Sequence, residues 1–276
     1  MSDRHSLGYS PCPNDTFIFY ALVHDRLEDA PCFREVLEDI ETLNGMAARS
    51  ELDVVKVSFH ALGHLRDHYA LLHAGGALGR GCGPLVVARD KLSPEELHTR
   101  KVAIPGRNTT AALLVRLFAP QLTETVEIPF HRIMDAVGKG EVDAGVIIHE
   151  SRFTYARCGL REVIDLGQWW EDSTGHAIPL GGIAACRNLG TDQLARIDDA
   201  LRRSVLFAHA NPDEVHDYVA AYAQEMEREV MKSHIELYVN DYTTDYGANG
   251  EEAIAHLMER AQTEGVIEPS EQPLFY

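Results

Sequence analysis

Short apolar runs alternate with amphipathic stretches through the first half of the chain, and this alternation constrains the fold more than any other feature. It is the pattern of strand-helix units that assemble into a mostly parallel sheet covered by helices. Leu7-Gly8-Tyr9-Ser10 reads as a first strand, followed by a polar, Pro-rich turn and a helix from Thr16 to Leu27. Asp53 to Ser58 reads as a strand running into a helix from Phe59, and Gly83 to Ala88 as a buried strand. After a Ser-Pro-Glu-Glu start at Ser93 the pattern repeats as strand Lys101 to Ile104, loop Pro105 to Thr109 and helix Thr110 to Phe118. Val126 to Phe130 as strand, Arg132 to Val137 as helix and Asp143 to Ile148 as strand, punctuated by Gly140, make one compact βαβ unit. A third apolar run, Ile178 to Ala185, precedes a helical tail from Thr191 to Glu264 that breaks at Asn211-Pro212 and near Tyr246-Gly247.

At 276 residues the chain exceeds the roughly 100 to 200 residues that one core organises, yet neither an internal repeat nor a flexible linker divides it. Two lobes without a linker are joined by strands that cross between them, and Leu85 to Ala88 and Leu180 to Ala185 are the natural crossings. The expected division is a discontinuous first lobe of residues 1–89 and 178–276 and a second lobe of residues 90–177, with the ligand cleft between them. Such an arrangement permits hinge closure.

Bulk properties remove several classes of function. The formal net charge of -18, with no basic patch, argues against nucleic acid and anionic membranes as partners. Met1 to Ser6 lacks an apolar run and no later stretch offers the ~18 apolar residues of a membrane span, so a soluble, cytoplasmic protein is expected. Five scattered cysteines without CxxC spacing form neither a disulfide framework nor a structural zinc site and read as free thiols. An anionic small molecule would have to be held by local amides and a few cations; the sequence assigns no oligomeric state.

Chemistry concentrates at strand-to-helix junctions. In Ser10-Pro11-Cys12-Pro13-Asn14-Asp15-Thr16, Asn14 or Asp15 can cap a helix whose free amides suit an anion or carbonyl oxygen, and Cys12 is placed to have a lowered pKa. Pro105-Gly106-Arg107-Asn108-Thr109-Thr110-Ala111 combines a glycine, a cation and two hydroxyls at a helix entrance and reads as a second anion site, without the Gly-Lys-Ser/Thr ending of a nucleotide-binding loop. Lys56 and Ser58 close another strand. His149, at the end of the apolar strand Val146-Ile147-Ile148, lies where open α/β sheets place their ligands; a neutral imidazole there can accept a proton, oriented by Glu150 or a carbonyl. His60, His64 and His68 share a helical face but lack a carboxylate at metalloenzyme spacing, so they read as a solvated face and no metal is assigned. Trp169-Trp170 is expected at the lobe boundary, with one ring free to stack on an aromatic ligand.

Nearly end to end, these segments, with Gly76-Ala77-Leu78-Gly79-Arg80-Gly81, Pro179-Leu180-Gly181-Gly182 and Tyr238-Val239-Asn240, occur in an order and spacing that resembles the 1,4-dihydroxy-6-naphthoate synthases of the futalosine route to menaquinone. The resemblance implies a two-lobed, type II periplasmic-binding-protein-like α/β fold. It implies a carbon-carbon lyase that converts cyclic dehypoxanthine futalosine to 1,4-dihydroxy-6-naphthoate and dihydroxyacetone, with no cofactor or metal and a carboxylated small molecule as partner. Carried over by position, His149 is the proton acceptor, while Lys56-Val57-Ser58 and Thr110-Ala111 contact substrate; Thr109, Asn14, Asp15 and Asn44 are added from their expected place at the cleft. A cytosolic small-carboxylate binding protein and the sister chorismate dehydratase share the scaffold, and the Ile-His-Glu-Ser segment favours the naphthoate synthase.

Overall fold

The computed structural model describes residues 4–223 and 227–276. The chain lays down β1 (His5–Tyr9), β2 (Phe33–Leu37), β3 (Val54–Ser58), β4 (Tyr69–Leu71) and β5 (Ala77–Gly79), then β6 (Leu85–Ala88), β7 (Val102–Ile104), β8 (Thr125–Glu127), β9 (Ala144–Ile147) and β10 (Arg161–Asp165), and returns through β11 (Ile178–Cys186). One sheet runs β2-β1-β3-β11-β4, with β5 beside the start of β11; the other runs β8-β7-β9-β6-β10. The two paths are the same: the second, first and third of the sheet's parallel-paired strands, then an antiparallel strand (β11 or β6), then one more strand antiparallel to it. Parallel pairing is confined to β1 with β2 and β3 and to β7 with β8 and β9, while β6 and β11 run antiparallel to their neighbours, so each sheet is mixed.

The strands expected to cross between the lobes are β6 and β11, and each pairs within a single sheet. β6, expected inside the first lobe, is hydrogen-bonded on both sides into the second sheet, which moves the change of sheet ahead of Leu85. Period-two alternation buries each sheet on both faces. Val55 and Val57 enter a core that continues through Val86, Val102 and Val146 of the other sheet, whereas Val54 faces a second core built on the Pro13–Val23 and Thr191–Ala210 helices. Leu85, Val87, Ala103 and Ile147 cover the far face of the second sheet.

Local chemistry shifts several expected boundaries. The first helix is Pro13–Val23, opening on a proline whose fixed φ suits the first turn, and the chain turns left-handed at Asp25 (φ 51°) before Leu27 is reached. Pro129 ends β8 early and Phe130 opens the Phe130–Lys139 helix, which stops at Gly140 in left-handed conformation. β2 and the Ile40–Ala48 helix, capped by the Asp39 carboxylate on the Glu41 and Thr42 amides, have weak apolar periodicity and were not anticipated. Asn240 interrupts the helical tail by capping a short helix of its own. Trp170 is fully buried and meets His256 of the Gly247–Thr263 helix at 5.6 Å, while Trp169 meets Phe118 at 5.4 Å, so the pair packs at the lobe boundary as expected and neither ring lines the cleft.

Candidate active site

The carboxyl ends of β1, β3, β7 and β9 converge on a cleft between the two sheets, the usual place for a small-molecule site. From the first lobe come Ser10, Asn14, Asp15, Lys56 and Ser58, with Leu180 and Gly181 from β11; from the second come Thr109, Thr110, Ala111, Ile148 and His149. Tyr238, from the helical tail, closes one side. All but two of the residues expected from sequence are therefore brought together. Val57 points the other way, into the core, because successive side chains of a strand alternate. Asn44 stands behind the wall: its Oδ1 accepts from the Ser58 amide at 3.0 Å and its Nδ2 donates to Ser58 Oγ at 3.2 Å.

Lys56 and Asp15 form a buried ion pair at 2.7 Å, with side chains 6% and 2% exposed. Asp15 Oδ2 accepts from the Ser10 amide and hydroxyl, and Oδ1 accepts from Lys56 and from Asn14 Nδ2. These four bonds fill the acceptor capacity of a carboxylate, so Asp15 neither caps its helix nor has a lone pair left for a ligand; it fixes Lys56 and Asn14. Lys56 keeps two further N–H donors. Gly181 permits this approach: a Cβ there would lie 2.9 Å from the Val57 carbonyl and 3.2 Å from Lys56 Cε.

On the opposite wall, Thr109 caps the Thr110–Phe118 helix by accepting the Ala112 amide. The Thr109 carbonyl takes the Leu113 amide, which leaves the Thr110 and Ala111 N–H groups as donors at the cleft surface. The Thr110 hydroxyl donates to the Leu180 carbonyl at 2.5 Å and ties the two lobes together there. Arg107 does not serve this site. Its side chain is 80% exposed and paired with Glu127, and the loop backbone instead meets Glu41, which accepts from the Asn108 amide and occupies the space a Cβ at Gly106 would need. Burial raises the Glu41 pKa.

His149 follows β9 with φ 56°, a left-handed conformation that costs a non-glycine residue roughly 1 to 3 kcal/mol and clusters at functional sites. Half-buried, its ring meets that of Phe130 at a steep angle, centroids 5.0 Å apart, and lies nearly parallel to that of His234 at 16°, centroids 6.2 Å apart. Burial lowers its pKa, against the opposing charges of Glu150 and Asp15. Glu150, expected to orient the ring, does not touch it through a hydrogen bond; its Oε2 is buried without a partner. Cys12 reverses another expectation: burial first, then the nearby Glu150 carboxylate, pushes its thiol pKa well above the ordinary value, so it is no thiolate nucleophile. His60 is likewise buried, 3.3 Å from the Thr109 carbonyl, and burial takes its pKa down to about 4.

His60 and the fully buried His234 stay neutral in the folded protein but take protons in the unfolded chain near the ordinary value of 6.5. The unfolded state then binds more protons below that pH, so their contribution to stability is whole above about pH 6.5 and is lost as pH falls. Thermal unfolding should show it: the fall in Tm between pH 6.5 and 5 is shallower in His60→Gln than in the wild type, and equal slopes would refute the assignment.

Ile40, which lines the cleft, and His234 and Glu41, which stand behind its walls, are residues that sequence did not single out. The i, i+4 spacing of His234 and Tyr238, whose rings meet at 4.6 Å, was the available signal.

A family profile described as menaquinone biosynthesis matches residues 5–263. A 1,4-dihydroxy-6-naphthoate synthase of Thermus thermophilus is 51% identical over 269 residues, covering 98% of each chain, and that of Streptomyces coelicolor is 49% identical over 271, covering 96% of this chain and 95% of its own. Among solved structures, a protein from Archaeoglobus fulgidus superposes with a TM-score of 0.90 at 40% identity, covering 96% of this chain and 98% of its own. The alkanesulfonate-binding protein of Xanthomonas axonopodis shares the fold, with a TM-score of 0.73 at 12% identity, 96% of this chain and 94% of its own being covered.

Proposed function

The chain belongs to the menaquinone-biosynthesis family, with relatives at about half identity named 1,4-dihydroxy-6-naphthoate synthase, and from that premise we propose that it cleaves cyclic dehypoxanthine futalosine to 1,4-dihydroxy-6-naphthoate and dihydroxyacetone. The observation that carries the reading is a neutral imidazole, free of protein hydrogen bonds among the described residues, facing donors across one cleft. The proposal includes a cytoplasmic location and chemistry done by side chains and backbone alone.

In this scheme His149 takes a hydroxyl proton from the substrate. The oxygen becomes a carbonyl, the adjacent carbon-carbon bond breaks in the retro-aldol sense, and its electron pair passes into the ring ketone as an enolate that aromatises. The Lys56 ammonium, the Ser58 hydroxyl and the Thr110 and Ala111 amides supply donors for the substrate carboxylate and the developing oxyanion. The Thr110–Leu180 bond joins the walls that exclude water while the charge develops.

Two measurements test this. Offered cyclic dehypoxanthine futalosine and chorismate in parallel, the protein turns over only the first; turnover of chorismate alone would make it the dehydratase. The acid limb of kcat/KM reports protonation of the base in the free enzyme, and burial of His149 places that limb below pH 6.5. A limb above 6.5 would remove His149 from the role.

A further inference from the structure

His234, on the Arg228–Tyr238 helix, is fully buried outside the cleft, yet its ring lies nearly parallel to that of His149. Its protonation state follows from the bonds around it. Asn14 Nδ2 donates to Asp15 Oδ1 at 2.8 Å, so the Asn14 atom 2.9 Å from His234 Nε2 is the amide oxygen, and Nε2 must carry the proton. The other nitrogen, Nδ1, is buried with no hydrogen-bond partner. A protonated ring would strand that second N–H in apolar surroundings and set a cation beside Lys56, so the ring stays neutral. A fixed series of bonds runs from Lys56 through Asp15 and Asn14 to a ring that ends against the proton acceptor.

His149 needs such a wall. Its backbone is in a conformation unusual for a side-chain-bearing residue, and the rings of Phe130 and His234 are its aromatic neighbours, at 5.0 and 6.2 Å between centroids. We propose that His234 is a positioning residue for His149: a buried, uncharged flat ring that forms the dry wall against which the proton acceptor is held. The inference rests on reading His149 as that acceptor.

The charged and titratable groups around His149 are Glu150 on its own turn, Asp15 of the Pro13–Val23 helix, Lys56 of β3, Asp39 ahead of the Ile40–Ala48 helix, and His234 itself. Of these, His234 can be altered without adding or removing a charge. His234→Gln keeps a donor for Asn14 but removes the ring, admitting water to His149. His234→Phe keeps a flat apolar wall but gives up the bond to Asn14.

Titration of the His149 ring by NMR, assigned by its loss in His149→Asn, measures the wall without any turnover. In His234→Gln the midpoint moves up toward 6.5 and kcat falls about 10- to 100-fold at little-changed KM, the cost of a misplaced base. His234→Phe titrates as the wild type does and keeps most of kcat. A Gln variant with wild-type titration, whether active or not, overturns the proposal, as does one whose titration moves while kcat does not. Should the Gln variant fail to fold, His234→Phe decides: a folded Phe variant with its His149 midpoint near 6.5 is the contrary result. A wild-type protein that makes no naphthoate sinks the functional reading and leaves the wall tested by titration alone.

Discussion

Replacing His149 with asparagine should leave a folded protein that binds substrate and turns it over about 10²- to 10⁴-fold more slowly, the usual worth of a positioned general base. Asparagine is the substitution of choice because, like histidine, it is among the residues most often found at a φ such as 56°, whereas alanine is not. The imidazole accepts no hydrogen bond from the protein among the described residues, so its removal strands no polar partner. Binding is checked by thermal shift: substrate at 100 times its Kd raises stability by about 2.7 kcal/mol in wild type and variant alike. Turnover within threefold of wild type would take the proton acceptor away from His149.

The second large effect lies at the other end of the same network. Lys56→Met should cost roughly 3 to 5 kcal/mol of stability, because Asp15, 2% exposed, keeps its charge with no cation beside it. For a chain of this size that is a Tm lower by on the order of 10 °C. The double variant Lys56→Met/Asp15→Asn strands no charge and should be more stable than Lys56→Met alone, while remaining inactive for want of the ammonium donor. Differential scanning calorimetry on the three proteins checks this; a single variant melting within 2 °C of wild type would mean that the pair is solvated and the account of Asp15 is wrong.

The readable part of the site was the part carried by strand ends. Lys56, Ser58 and His149 each follow a short apolar run and Thr110 follows the loop after one, and topology delivers such positions to one edge of a sheet whatever the exact register. Val57 shows the limit of carrying over a whole segment, since a strand offers the cleft only every second side chain. Asp15 and Cys12 sit in a turn whose sequence suggests a cap and a reactive thiol. Their actual roles depend on Lys56, forty-one positions away from Asp15, and on a carboxylate, Glu150, that only the closed fold brings near. His234 was hidden for the same reason: helical periodicity says which face is buried but not that the face ends against an imidazole from the other lobe.

In the fold, alternation of apolar and amphipathic stretches led to the strand-helix order and to the apolar strands β6 and β11. Membership of β6 escaped it, because an apolar run reads alike whether it closes one sheet or opens the next. Nor does the repeated strand order of the two sheets leave a repeat in the sequence; burial on both faces asks only for small and branched apolar residues, in any order.

The most direct test of the account is to incubate the purified wild-type protein with cyclic dehypoxanthine futalosine and follow both products by chromatography and mass spectrometry. The account predicts 1,4-dihydroxy-6-naphthoate and dihydroxyacetone in equal amounts; substrate bound tightly and recovered unchanged would contradict it and leave a binding protein on the same scaffold.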